Sequence, residues 1–231
     1  MTNEVRQPTI LPVVEPTRAE RAKRAAITVA GTVLAVGIGS GLRPYRPQRV
    51  SAQRWDGFYD SGRFDYMNTL WELPRYAALL GYLRVYPGTP DVLDIGCGPG
   101  YLRQLMTDED FGSYAGVDLS PAAVRSASAL ADSRTSFAVG DATTMELPQV
   151  DVVVMNEVLC YIEDRDAFLD RVAASVRPGG LVLTSLYRHP GDHSLWRQLD
   201  RKLSLVSAMM ARPVHSPYNR RGFRVSCHTV R

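Results

Sequence analysis

Residues 92–100 read Val-Leu-Asp-Ile-Gly-Cys-Gly-Pro-Gly, an apolar strand that carries an acid, Asp94, and runs into three alternating glycines, Gly96, Gly98 and Gly100. Glycine at a strand end admits φ > 0 and leaves no Cβ between the backbone and a ligand, so this loop is built to lie against a small molecule. A dinucleotide pyrophosphate is the first candidate. The Gly-x-Gly-x-x-Gly spacing it needs fails, however, because Tyr101 stands where the third glycine should be. Asp94 would also repel a pyrophosphate, whereas it suits a ligand that carries an ammonium or sulfonium charge.

Further polar residues fall at the ends of later apolar stretches. Residues 113–118 end in Asp118, which is placed to accept hydrogen bonds from two ribose hydroxyls, with Leu119 beside it. Residues 135–142 end in Gly-Asp-Ala, where Asp141 is the candidate acceptor for an adenine amino group and Ala142 its neighbour. Taken singly, Asp118 and Asp141 also read as turn or helix caps. A fourth stretch, 150–156, ends in Asn156 and continues into Glu157-Val158-Leu159-Cys160-Tyr161, and a fifth, 181–187, follows the turn Arg177-Pro178-Gly179-Gly180.

The elements that must hold these residues can be read from periodicity. Short apolar strands alternate with amphipathic stretches, which favours a doubly wound α/β arrangement with a parallel sheet covered on both faces. A helix is expected over 121–130, with Ser120 as N-cap and Pro121 in the first turn, and another after Asp164, where Ala167, Phe168, Val172 and Val176 recur at helical spacing. After the fifth strand come a helix near 194–203 and strand-like stretches near 205–214 and 222–230.

With these motifs in this order, residues 55–231 resemble the class I S-adenosylmethionine-dependent methyltransferases. The resemblance implies a Rossmann-like seven-stranded sheet, mostly parallel with a closing antiparallel strand. It implies S-adenosylmethionine as cofactor, held by Asp94, Gly96, Cys97, Gly98, Gly100, Tyr101, Asp118, Leu119, Asp141, Ala142 and Asn156. In such enzymes the helices before the first strand fold over the cofactor, and an arginine or tyrosine there often meets the methionine carboxylate. Arg75 and Tyr66, in the aromatic-rich stretch 55–76, are the candidates, the plainer reading of Arg75 being a surface ion pair.

Methyl transfer asks the protein chiefly to hold donor and acceptor in line. An amine or hydroxyl acceptor also needs a base, and Glu157, Tyr161, His189 and Tyr187 lie at the right end of the sheet, with the first three preferred. The fourth-strand tip, Asn156-Glu157-Val158-Leu159, lacks the Asn/Asp-Pro-Pro-Tyr turn usual in enzymes that methylate planar amino groups, and the net charge is only +3, so no nucleic acid partner is expected. A small-molecule acceptor is favoured. The tip and the aromatic stretch are similar to the nodulation N-methyltransferases, which implies an amine or hydroxyl of a sugar, lipid-linked glycan or secondary metabolite. A membrane-associated lipid or quinone methyltransferase and a non-catalytic cofactor-binding protein are the alternatives.

Cys97, Cys160 and Cys227 are scattered without metal-ligand spacing, so no metal site is expected and a reduced, cytoplasmic setting fits. Residues 1–24 read as a disordered tail, 25–42 as an uncharged run of 18 and 43–54 as a basic linker. As a helix the run would extend about 27 Å, close to the roughly 30 Å of a bilayer core. A membrane contact through 25–42, at the inner face, stands beside a flexible or core-packed extension and a cleaved signal peptide. Arg43, Arg46 and Arg49 balance Arg18, Arg21, Lys23 and Arg24, so flanking charge sets no orientation. No sequence feature fixes an oligomeric state.

Overall fold

The computed structural model describes residue 47 and residues 50–189, 192–213 and 221–230. The expected tail at 1–24 and the apolar run at 25–42 lie outside the described residues. The order of elements is α1 (Ala52–Asp60), a 3-10 turn (Asp65–Asn68), α2 (Leu73–Arg84), β1 (Asp91–Ile95), α3 (Tyr101–Leu105), β2 (Ser113–Asp118), α4 (Pro121–Ala127), β3 (Thr135–Val139), β4 (Val150–Asn156), α5 (Arg165–Ser175), β5 (Val176–Tyr187), α6 (His193–Lys202), β6 (Ser204–Ala211) and β7 (Phe223–Thr229). The seven strands form one sheet in the order β3-β2-β1-β4-β5-β7-β6. β1 to β5 pair in parallel, and β7 runs antiparallel to both β5 and β6. This is the doubly wound, Rossmann-like sheet that the motif order implied.

Local signals place the helices. Ser120 caps α4, its Oγ accepting from Ala123 N at 3.2 Å, with proline in the first turn. Asp164 caps α5 by accepting from Ala167 N at 3.0 Å. The helix expected over 121–130 stops at Ala127 and tightens into a 3-10 turn, Ser128–Leu130, and the third strand ends at Val139 rather than 142.

The strand period of two divides the core between the faces of the sheet. Val152 and Val154 pack with Tyr76, Leu79, Leu83 and Phe111 on the α2 and α3 side, while Val153 and Met155 pack with Phe168, Leu169, Leu195 and Leu199 on the α5 and α6 side. Leu93, Val153 and Val154 are fully buried, so truncating Leu93 to alanine costs about 2–5 kcal/mol. Arg177-Pro178-Gly179-Gly180 is a bulge within β5 rather than a turn ahead of it. Pairing with β4 jumps from Val150↔Val176 to Val152↔Leu181, and the shift moves Val150 to the opposite face from Val152.

Candidate functional site

The strand order reverses between β1 and β4, and a parallel sheet opens a crevice beyond its C-terminal strand ends at such a point. The glycine loop lies there, with Gly96, Gly98 and Gly100 at φ of 71°, 54° and 82°. A Cβ on Gly98 would stand 3.1 Å from the Tyr59 hydroxyl, and one on Gly96 would stand 2.5 Å from Val158 Cγ2, so the loop is closed in from both sides. Cys97 is buried, and its thiol is pushed far above its usual range by burial and the nearby Asp94 and Asp118, which leaves a small inert filler.

Asp118, at the tip of β2, is buried and doubly anchored. One carboxylate oxygen accepts from Gly98 N at 2.9 Å and the other from Ser120 N at 2.9 Å. Burial raises its pKa against the pull of these amides. Each oxygen keeps a lone pair for a further donor. Asp141 stands differently: it is exposed, and one oxygen binds Thr143 N at 2.9 Å and Thr143 Oγ1 at 2.6 Å within its own turn. Ala142 beside it is buried, Leu119 and Tyr101 partly so.

Three buried polar atoms lack partners on the α2 face of the crevice. Asp94 Oδ2 accepts from Tyr114 Oη at 2.5 Å, but Oδ1 has no partner. Burial pushes the Asp94 carboxyl up to about 7; the Tyr114 hydroxyl bond opposes this and the Asp118 charge adds to it. Asn156 Oδ1 and Arg75 Nε are likewise without partners. Asp94 pairs with Val154 in the β1–β4 register, so Asn156, two residues on, projects to the same face.

Arg75 is 2% exposed and sits between two carboxylates, Glu72 Oε2 at 3.3 Å and Glu157 Oε1 at 3.6 Å, with Tyr76 Oη accepting from Nη2 at 3.2 Å. Tyr66 lies within electrostatic reach of it. The Glu72 carboxyl is pushed up to about 7 by burial, which outweighs the attraction of Arg75. Glu157 is the one non-glycine residue at positive φ among the described residues, at 64°. Its N–H donates to Ser185 O at 2.8 Å and its Oε2 accepts from Tyr187 N at 2.9 Å, so β5 holds the β4 tip in this conformation.

The N-terminal helix roofs the crevice. Asp56 accepts from Ser120 Oγ at 2.5 Å and from Ala122 N at 2.9 Å, tying α1 to the start of α4. Trp55 packs edge-on against Tyr161 with centroids 4.9 Å apart, and Phe64 joins Trp55, Phe58, Tyr59 and Tyr66 in one aromatic wall. His189 is stacked edge-on to Tyr187 at 4.6 Å. Burial and then repulsion from Arg221 hold its imidazole below the usual histidine range. Glu72 is a residue of the Arg75 cluster that motif reading gave no role, while Trp55, Asp56 and Tyr59 stood only in the aromatic stretch that carries the resemblance. Among the described residues no group of three or more His, Cys, Asp or Glu is placed to hold a metal.

Residues 93–184, which carry the glycine loop and the tips of β1 to β4, match the family described as a methyltransferase domain. These residues thus carry a methyltransferase domain, and the fold around them is that of the class I S-adenosylmethionine-dependent methyltransferases. The chain is 28% identical over 136 residues to the 2-methyl-6-phytyl-1,4-hydroquinone methyltransferase of Synechocystis, covering 57% of this chain and 42% of that one. It is 34% identical over 126 residues to an uncharacterised methyltransferase of Mycobacterium tuberculosis, covering 53% and 63%. The chain thus spans less than two thirds of the length of these relatives. Its fold is shared with the N-methyltransferase NodS of Bradyrhizobium japonicum bound to S-adenosyl-L-homocysteine, at TM-score 0.63 and 21% identity over 78% of this chain and 96% of that one.

The crevice fits the cofactor of the family. Unsatisfied buried polar atoms are rare because each costs about 1–3 kcal/mol, so a group of them marks a place where a ligand belongs. Here the group comprises an anionic oxygen, a cationic N–H and an amide oxygen, matching the ammonium and carboxylate of an amino-acid end. Asp118, beyond the glycine loop, matches a ribose diol.

Proposed function

We propose that this chain transfers the methyl group of S-adenosylmethionine to an amine or hydroxyl of a small molecule, a sugar, lipid-linked glycan or secondary metabolite. The observation that carries the reading is the set of partnerless buried atoms on Asp94, Asn156 and Arg75 beside the doubly anchored Asp118. Bound there, the cofactor supplies a methyl group already activated by its sulfonium charge. Asp118 accepts from the ribose hydroxyls, Asp94 faces the ammonium and sulfonium end, and Arg75 Nε is the donor left for the carboxylate. The glycine loop lets the backbone approach closely, and Asp141 with Ala142 lies toward the adenine.

The acceptor meets a wall of Trp55, Phe64 and Tyr161, behind which Glu72 and Glu157 outnumber Arg75. Aromatic faces with carboxyl groups near them favour an acceptor able to carry positive charge, which is the character of an amine. A protonated amine has no lone pair, so it must first give its proton to a base; its nitrogen can then take the methyl carbon as the sulfonium C–S bond breaks and the cofactor leaves as the neutral thioether, and a positioned base contributes about 10²–10⁴ in rate. Glu157 is held rigidly by Tyr187 N, Ser185 and Arg75, Tyr161 stands in the aromatic wall, and His189 carries an imidazole neutral at physiological pH.

The test is calorimetric titration of the full chain with S-adenosylhomocysteine, followed by a screen of amines, amino sugars and phenols with methyl-labelled cofactor. Micromolar binding with label incorporated into one class supports the reading; no binding by folded protein overturns it. In the pH profile, replacement of the base removes one limb while the other two variants keep it, comparing Glu157→Gln, Tyr161→Phe and His189→Ala. A prenylated phenol is the second reading, favoured by the similarity to the Synechocystis hydroquinone methyltransferase and by the uncharged run 25–42. Its mark would be label incorporated into phenols alone.

A further inference from the structure

The β6 edge of the sheet is unusual in what it lacks. An exposed edge strand offers unpaired N–H and C=O groups, and proteins commonly blunt such edges with charges or proline. β6, Ser-Leu-Val-Ser-Ala-Met-Met-Ala, has neither. Leu205 is 45% exposed, Val206 61%, Met209 46% and Met210 49%. Adjacent residues of a strand point to opposite faces, so apolar side chains emerge on both sides of the edge. Exposed arginines bracket the strand, Arg201 before it and Arg212 and Arg221 after it.

The charge of the chain is divided in the same sense. Residues 188–231 carry nine Lys and Arg against two Asp, a net charge of +7, and residues 1–50 carry eight against three, a net +5. Residues 51–187, which hold the crevice, carry ten against nineteen, a net −9. Apolar side chains ringed by cations form the pattern that binds an anionic lipid interface, at about 1 kcal/mol per basic residue near the surface. The run 25–42 repeats it, apolar and flanked by arginines on both sides.

We propose that the β6 edge, through Leu205, Val206, Met209 and Met210 with Arg201, Arg212 and Arg221, docks on an anionic membrane surface. At headgroup depth water and lipid headgroups satisfy the open backbone edge, which the hydrocarbon interior could not do, while the four apolar side chains reach the acyl boundary. The net negative charge of residues 51–187 is repelled from the same surface, so docking turns the β3 end of the sheet away from it. A second copy fits less well: antiparallel pairing of β6 with itself sets Arg201 and Lys202 of one chain toward Arg212 of the other. The inference does not depend on the methyl-transfer reading.

The test uses the full chain with an environment-sensitive fluorophore on Val206→Cys, the native cysteines being buried. The control carries the same label on Val139→Cys, 51% exposed on β3 at the opposite edge. Vesicles of phosphatidylcholine alone are compared with vesicles containing 30% phosphatidylglycerol. The label at 206, and not that at 139, should brighten and shift to the blue with anionic vesicles alone, and salt should reverse it. Val206→Glu with Met210→Glu should weaken vesicle affinity about tenfold or more. No response at 206, whether or not the chain floats with the vesicles, overturns the proposal, as does an equal response to neutral vesicles. Shielding at 206 without lipid that dilution reverses would identify a second copy as the occupant and overturn it too.

Discussion

Replacing Asp94 with asparagine should make the protein more stable at pH 8 and weaken its grip on the cofactor. Asp94 is 2% exposed, and its carboxyl is pushed up to about 7 by burial. The unfolded chain ionises it near 3.9. Between about pH 4 and 7 the folded chain therefore keeps a proton that the unfolded chain has lost, and stability falls as pH rises through that window. The full shift of about three pH units corresponds to roughly 4 kcal/mol, of which roughly 2–3 kcal/mol falls between pH 5 and pH 8. Asparagine keeps an oxygen for the Tyr114 hydroxyl but places an amide nitrogen where Oδ1 has no partner, at a cost of about 1–3 kcal/mol. The variant should then be about 1–3 kcal/mol more stable than the parent at pH 8 and close to parity at pH 5. Urea unfolding of both proteins at the two pH values measures the difference, and subtracting one curve from the other removes Glu72 and other titrating groups. A difference that does not change with pH would refute the buried-charge argument. Titration with S-adenosylhomocysteine at pH 8 is the second half: an unchanged Kd would detach Asp94 from the cofactor, leaving a costly buried acid without a reason.

Asp118→Ala removes an acceptor anchored by Gly98 N and Ser120 N, and should weaken S-adenosylhomocysteine binding by about 10–100-fold through the loss of roughly 1.5–3 kcal/mol of charge-assisted hydrogen bonding, read by calorimetry. Gly98→Ala should weaken binding as well, since a side chain at φ 54° is strained and its Cβ meets the Tyr59 hydroxyl, whereas Gly179→Ala, with open space around its Cβ, should lower thermal stability by about 1 kcal/mol and leave the Kd alone. Arg75→Met strands Glu72 and Glu157 and should destabilise by about 3–5 kcal/mol in urea unfolding at pH 8, with Glu72→Gln in the same chain recovering part of that loss. Asp56→Ala should free α1 from α4, seen as faster hydrogen exchange in residues 52–60 and a larger Kd for S-adenosylhomocysteine.

Much of this protein was legible in its sequence, because the signals are local. The glycine loop needs positive φ within five residues, the strands advertise themselves by apolar runs, Ser120 and Asp164 cap the helices that follow them, and strand-end acids fall where parallel strands deliver their ligand groups. The alternation of strands and helices then favoured a parallel sheet covered on both faces, and the family resemblance supplied its antiparallel closure. Only the tertiary structure showed how differently the strand-end acids are surrounded. Asp118 and Asp141 look alike in the sequence, yet one is buried between two amide donors and the other binds its own exposed turn. Glu72 gave no signal, since its importance comes from meeting Arg75 and Glu157 in a buried cluster, and Glu157 is left-handed because Ser185 and Tyr187, about thirty residues on, hold it there. Asp56 closes the roof through Ser120, 64 residues away. Periodicity and turn chemistry record what neighbouring residues require of each other; a contact across the crevice depends on the whole sheet being in register, and that information is spread over every strand.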